Sequence, residues 1–155
     1  MMLTLGNTLW NNDNSNISEN FLKGLIKSSY RNGIKPISIE ETEKGVSIKI
    51  DNGNLSLNDT PGVYAIFNEN ELIYIGGSSS SIRYRVYRFC KEILHKSRND
   101  EGHSAGKKYR YFYGKKYNLK LMYIPLYDYS SEEIKDIELT FIRRFNPKFN
   151  KRKIK

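Results

Sequence analysis

The sequence predicts one small α+β domain. A chain of 155 residues has room for a single compact core. Its apolar residues recur with period 3.6 in some stretches and period 2 in others. The predicted order is helix, hairpin, strand, strand, helix, strand, helix, which is not the regular alternation of a doubly wound parallel sheet.

Asn11 to Asn16 is polar and reads as a loop. Ser18 to Tyr30 reads as a helix with Phe21, Leu22, Leu25 and Ile26 on one side, closed by Asn32-Gly33 and kept from continuing by Pro36. Ile37 to Leu57 alternates apolar and polar residues, most clearly at Val46, Ile48 and Ile50. The break at Asp51-Asn52-Gly53, with Leu55 and Leu57 beyond it, predicts a β-hairpin. Gly62 to Phe67 and Glu71 to Ile75 are short strands around the turn-forming triplet Asn68-Glu69-Asn70. Ser78 to Ser81 supplies helix caps, and Ile82, Val86, Phe89, Cys90 and Ile93 follow at helical spacing. Asn99 to Lys108 is polar and reads as a basic loop. Leu119 to Leu126 returns to strand character. Ser130 with Glu133 matches a capping box that opens a helix to about Phe145, ended by Asn146-Pro147.

No apolar run approaches the roughly 20 residues that span a bilayer, and Met1 to Trp10 lacks a secretory layout. The one cysteine, Cys90, sits on an apolar stripe and reads as core; it cannot pair internally, so a cytoplasmic location is expected. With His95 and His103 as the other candidate ligands, no Cys/His zinc site can be assembled. The formal net charge of +9 is unevenly spread. Residues 1–82 carry 6 Lys and Arg against 9 Asp and Glu, whereas residues 83–155 carry 20 against 8. A one-sided positive field interleaved with tyrosines predicts a nucleic-acid partner.

The sharpest chemical signal is Glu138. At about 100° per residue it falls about 40° from Ile134, inside the stripe formed by Ile134, Ile137, Phe141 and Phe145. A carboxylate there must be paired, neutralised or bound to a cation. A salt bridge to an arginine or lysine at the core edge is the plain reading; a metal ligand is the functional one. On the preceding helix Arg85 and Arg88 share one margin of the apolar face and Arg83 lies on the other, where a guanidinium can hold phosphate or snorkel to solvent.

Gly62-Val63-Tyr64, followed after nine residues by Tyr74-Ile75-Gly76, resembles the two-strand signature of the GIY-YIG nuclease family. Ile82-Arg83-Tyr84-Arg85 resembles its apolar-x-x-Arg segment, and Glu138 through Pro147 to Asn150 resembles its glutamate helix and Pro-x-x-Asn ending. The resemblance covers residues 60 to 151 and is closest in its brevity to compact phage and restriction enzymes. It implies a central antiparallel sheet flanked by helices, with residues 60–155 as the catalytic domain and 1–59 as an N-terminal helix and hairpin extension for oligomerisation or DNA contact. Three departures stand out. One extra residue between Gly76 and Arg85 leaves Arg83 open as the alternative arginine. Gly77 stands where the family often has lysine, and Phe89 where it often has His or Tyr.

By resemblance, then, Tyr64, Tyr74, Arg85, Glu138 and Asn150 form the catalytic set, and neither His95 nor His103 fits the pattern. Glu138 is the expected sole protein ligand of Mg²⁺, with Mn²⁺ as substitute. Arg85 shields phosphoryl charge, Tyr64 takes a proton from water, Tyr74 positions water or phosphate, and Asn150 pins the end of the last helix. Arg83, Arg88, Lys107, Lys108, Arg110, Lys115 and Lys116, with the Lys151 to Lys155 tail, are expected to meet the phosphates of double-stranded DNA. The expected activity is restriction-type or phage-type endonuclease cleavage by a homodimer or higher homo-oligomer. The alternatives are a non-catalytic nucleic-acid-binding module of the same fold and a basic partner-binding protein.

Overall fold

A computed structural model describes residues 19–43, 45–50, 57–94 and 103–150. The expected loop at Asn11 to Asn16, the Asp51-Asn52-Gly53 break with Leu55, His95, Asn99 to Gly102 and the Lys151 to Lys155 tail lie outside those residues. The chain forms an α+β fold in the order α1 (Glu19–Asn32), β1 (Lys35–Thr42), β2 (Gly45–Ile50), β3 (Gly62–Asn68), β4 (Glu71–Ser78), α2 (Ile82–Leu94), α3 (Ser104–Tyr113), β5 (Leu119–Pro125) and α4 (Ser131–Phe145). The five strands make one antiparallel sheet in the order β2-β1-β5-β3-β4.

Two layers of helix cover the two faces of that sheet. On one side Ile82, Val86, Phe89, Cys90 and Ile93 of α2, with Ala105 and Tyr109 of α3, pack on Ile48, Tyr64, Ile66, Tyr74 and Leu121. On the other, Phe21, Leu22 and Leu25 of α1 and Ile134, Ile137, Phe141 and Ile142 of α4 pack on Val63, Ile75 and Ile124. The N-terminal helix and hairpin thus share the sheet and core of the rest. The apolar stripe of α1 is used inside the chain, and Glu19 at its start pairs with Arg144 of α4. Among the described residues no helix is long and apolar enough to cross a membrane.

Helix ends follow the local chemistry. Gly33, at φ +80°, donates to Ser29 and Tyr30 carbonyls and stops α1. Ser130 and Glu133 form both halves of the capping box on α4, and Asn146 ends it in the left-handed conformation.

Two expectations change. The run from Ile37 to Ile50 is two strands rather than one: the chain reverses after Thr42 and before Gly45, so that Ile37 faces Ile50 and Ile39 faces Ile48. Gly45, at φ +130°, adopts the left-handed backbone that such a reversal needs. The basic segment that reads as a loop is a helix from Ser104 onward. His103 caps α3, its Nδ1 accepting from the Gly106 amide at 3.3 Å. Gly106 lets α3 lie close on α2, since a Cβ there would come 2.7 Å from the Glu92 Cβ.

That close contact also fixes the role of Arg110. Glu92 is fully buried on α2, and Arg110 Nη1 approaches its carboxylate at 3.1 Å while donating to its backbone carbonyl. Truncating one partner of a buried pair leaves an uncompensated charge. Arg110→Ala should therefore cost about 3–5 kcal/mol of stability by urea unfolding. A loss below about 1 kcal/mol, as at an exposed pair, would return Arg110 to the set of free surface cations.

Candidate active site

The expected site residues meet at the Ser78 end of β4. Tyr64 on β3 is opposite Gly76 on β4 in the antiparallel register. Tyr74, two residues before Gly76, lies on the same face by strand alternation, and a β-bulge lies directly beside it. Ile66 pairs with Tyr74 and Phe67 with Leu72, which leaves Ile73 as an extra residue on β4. Ile73 and Tyr74 consequently both join the core under α2 and α3, while Leu72 and Ile75 face the other layer. The Tyr64 and Tyr74 rings are 6.2 Å apart at 52°, and both side chains are buried.

Two glycines make the meeting sterically possible. A Cβ on Gly76 would lie 2.5 Å from the Tyr64 hydroxyl oxygen and 2.9 Å from the Tyr74 ring. A Cβ on Gly77 would lie 2.9 Å from Glu138 Oε1. Gly76 and Gly77 face opposite layers, so phenols from one side and the α4 carboxylate from the other close on the same stretch of backbone. Gly62, at φ +152°, is a further close approach: a Cβ there would run into the Ile124 carbonyl. Glu138 is 4% exposed, although its helical neighbour Lys135 is mostly in solvent, with Nζ 3.9 Å from Oε1. That separation is at the outer limit of an ion pair.

Arg85 completes the group. Its guanidinium acts on the Tyr64 hydroxyl by charge and by hydrogen-bonding attraction, yet that hydroxyl and the buried Arg85 Nε make no hydrogen bond of full geometry. Arg83 points elsewhere, with Nη2 donating to the Ile48 carbonyl of β2 at 2.6 Å. Of the two arginines left open by spacing, Arg85 is the one beside the phenols.

The electrostatics keep both phenols protonated. Burial pushes Tyr64 well above 10; Tyr74 and Glu138 add to this, and Arg85 opposes it without prevailing. Tyr74 is pushed up to about 12 by burial and by Glu138, again against Arg85.

Asn150 braces this arrangement from outside. Strand β4 is an edge strand, and the Asn150 amide accepts from Ile75 N at 2.8 Å and donates to Ile75 O at 2.9 Å. The Phe149 amide adds a bond to the Ile73 carbonyl at 2.9 Å. Both halves of the Asn150 side chain are committed to backbone, so it positions the strand rather than reacts.

The remaining expected contacts are spread along the surface. Arg88 is half-buried on α2, Lys107, Lys115 and Lys116 are exposed, and Lys108 is half-exposed. Sequence reasoning missed His103: its ring stands edge-on to Tyr74 at 5.2 Å and to Phe89 at 5.5 Å. No apolar period marked that segment as ordered. Among the described residues no group of three or more His, Cys, Asp or Glu converges as a metal cage. An apolar cavity of about 230 Å³ between α1 and α4, lined by Ile26, Tyr30, Phe141 and Phe145, lies on the other layer and carries little polar chemistry.

Two outcomes follow from this packing. Gly76→Ala drives a methyl into two rings and should cost about 1–3 kcal/mol of unfolding free energy, whereas Gly77→Ala meets the end of a flexible carboxylate and should cost less. Equal costs in urea titrations would contradict the close approach at Gly76. Alkaline pH should unfold the protein. A buried phenol with a raised pKa binds its proton more tightly folded than unfolded, so its stabilisation is full below about pH 10. For Tyr74 it is then lost as pH rises toward about 12, with Tyr64, Tyr109 and Cys90 shifted the same way by burial. Tm should fall from pH 10 upward, with tyrosine ionisation at 295 nm coinciding with unfolding; phenols that titrate near 10 in a still-folded protein would refute this.

Comparisons with family models, with curated proteins and with solved structures return no match for this chain.

Proposed function

We propose that this chain is a divalent-metal-dependent DNA endonuclease of the GIY-YIG type. The observation that carries the reading is the convergence of Tyr64, Tyr74, Arg85 and Glu138, from two strands and two helices, on the Gly76–Gly77 backbone. Such a set combines a carboxylate for a cation, a guanidinium for phosphoryl charge and two hydroxyls for proton handling. The positive balance of residues 83–155 supplies attraction for a polyanion.

Hydrolysis adds water to phosphorus and breaks one P–O ester bond. Arg85, always charged, is suited to stabilising the extra charge on the non-bridging oxygens. Tyr74, protonated at neutral pH, donates a hydrogen bond to water or phosphate. Tyr64 serves as base only once its phenolic proton is released, and burial opposes that release. Positive charge beyond Arg85 is therefore needed at the site. A buried carboxylate seated over the side-chain-free Gly77 fits a hydrated Mg²⁺, which takes few protein ligands and would supply that charge when bound, with Mn²⁺ as substitute. Glu138 would be its protein ligand.

The substrate on this reading is double-stranded DNA in a cytoplasmic setting. One site cuts one strand, so a double-strand break requires two copies, hence a homodimer or higher homo-oligomer. Restriction-type and phage-type roles share this chemistry.

With Mg²⁺ or Mn²⁺ the protein should nick and linearise supercoiled plasmid. Glu138→Gln should reduce cutting by about 10²–10³-fold or more, while Tm and affinity for DNA stay near those of the parent. A parent that binds DNA tightly and never cuts it is the non-catalytic module instead. A Glu138→Gln protein that fails to fold would identify the carboxylate as a structural ion-pair partner.

A further inference from the structure

The outward face of α3 is not explained by the catalytic set. Ser104, Lys107, Lys108, Tyr111 and Phe112 recur at spacings of three and four, which is one stripe of a helix, and Lys115 and Lys116 follow just past the Gly114 cap. The opposite face is committed to the core through Ala105, Gly106 and Tyr109. Tyr111 is 84% exposed and Phe112 58%. Exposed aromatic side chains that adjoin one another inside a polar rim mark an interaction surface, whereas a single exposed ring does not.

The pair is held in place rather than loose. Phe112 stacks on Phe149 at 5.8 Å and 23°, with Lys148 Nζ 5.3 Å from its ring centre. Tyr111 stands edge-on to Phe112 at 5.2 Å and 87°. Phe149 is itself bonded to β4 through its amide, so little conformational freedom remains for Phe112 to lose on binding. Around the pair, Lys107, Lys108, Lys115 and Lys116 make no ion pair among the described residues. Residues 104–116 contain no Asp or Glu. Arg110 is excluded from this surface by its bond to Glu92.

We propose that the exposed stripe of α3 is the element that holds and reads DNA beside the cut, with Tyr111 and Phe112 packing against bases and the four lysines taking phosphates. This rests on the nucleic-acid reading above and deepens it. Charge complementarity selects a polyanion over a protein partner, and aromatic rings amid lysines are the side chains that contact bases and backbone together. The geometry fits a duplex that crosses the site. His103, the residue that caps the start of α3, stands against Tyr74. Tyr111 and Phe112 lie roughly 12–14 Å further along at about 1.5 Å per residue. That length of helix matches about four base-pair steps at about 3.4 Å each.

The test is equilibrium binding of the full chain to a fluorescent 20-base-pair duplex in EDTA, followed by anisotropy between 50 and 200 mM salt. Tyr111→Ala/Phe112→Ala should weaken binding at least about tenfold with an unchanged salt slope. Lys107→Ala/Lys108→Ala should lower the slope of log K against log salt by about 0.9 per lost phosphate contact. Tyr111→Ala alone, at the most exposed position, keeps the test open if the double variant folds poorly. Affinity and slope equal to the parent's in both variants would overturn the proposal, as would a parent with no affinity for duplex. Variants that change self-association in sedimentation and leave DNA affinity alone would overturn it too, and would assign the face to a protein contact. A parent that binds through α3 without ever cutting would sink the nuclease reading and leave this surface standing.

Discussion

The site depends on two adjacent residues without side chains. Strand alternation sends Gly76 toward the α2 layer and Gly77 toward the α4 layer, and each leaves space that a polar side chain occupies. A sheet ordinarily keeps its two faces apart. Here the end of β4 is thin enough that the Tyr64 phenol and the Glu138 carboxylate act on one another electrostatically across it. Larger residues at both positions would fill the places now taken by the hydroxyl and the carboxylate.

Holding that thin strand in place is a separate problem, because β4 lies at the sheet edge. An edge strand has unpaired backbone groups that fray or pair with strangers. The segment after α4 satisfies two of them at Ile75 through Asn150 and a third at Ile73 through Phe149. Phe149 also supports Phe112. One short stretch of chain therefore steadies both the strand that carries Tyr74 and the helix that carries the exposed aromatic pair.

Much of this was legible in the residues, for reasons that differ by element. The capping box at Ser130 and Glu133 is a local signal, and it gave the start of α4 within one residue. Glu138 stood out because an acid inside an apolar stripe conflicts with burial, and the conflict itself marks the position. The reversal between β1 and β2 was overlooked because Glu-Lys-Gly is a weak turn signal, and it is the pairing of Ile37 with Ile50 that reveals it. Helix α3 was hidden because it buries chiefly Ala105, Gly106 and Tyr109, too few apolar groups to make a period. The choice between Arg83 and Arg85 could not be made from spacing; it follows from the Ile48 carbonyl that takes up Arg83. Gly77 read as the loss of a lysine, whereas in the fold its missing side chain is the space that Glu138 uses.

The most direct measurement is a crystal structure with Mn²⁺ and a short duplex, using anomalous scattering to locate the ion. The expected result is a single peak about 2.0–2.3 Å from a Glu138 carboxylate oxygen, with Arg85 and both phenols around the adjacent phosphate. Duplex bound with no ion at Glu138, or with that carboxylate closed on a lysine and remote from Tyr64, would contradict the account at its root.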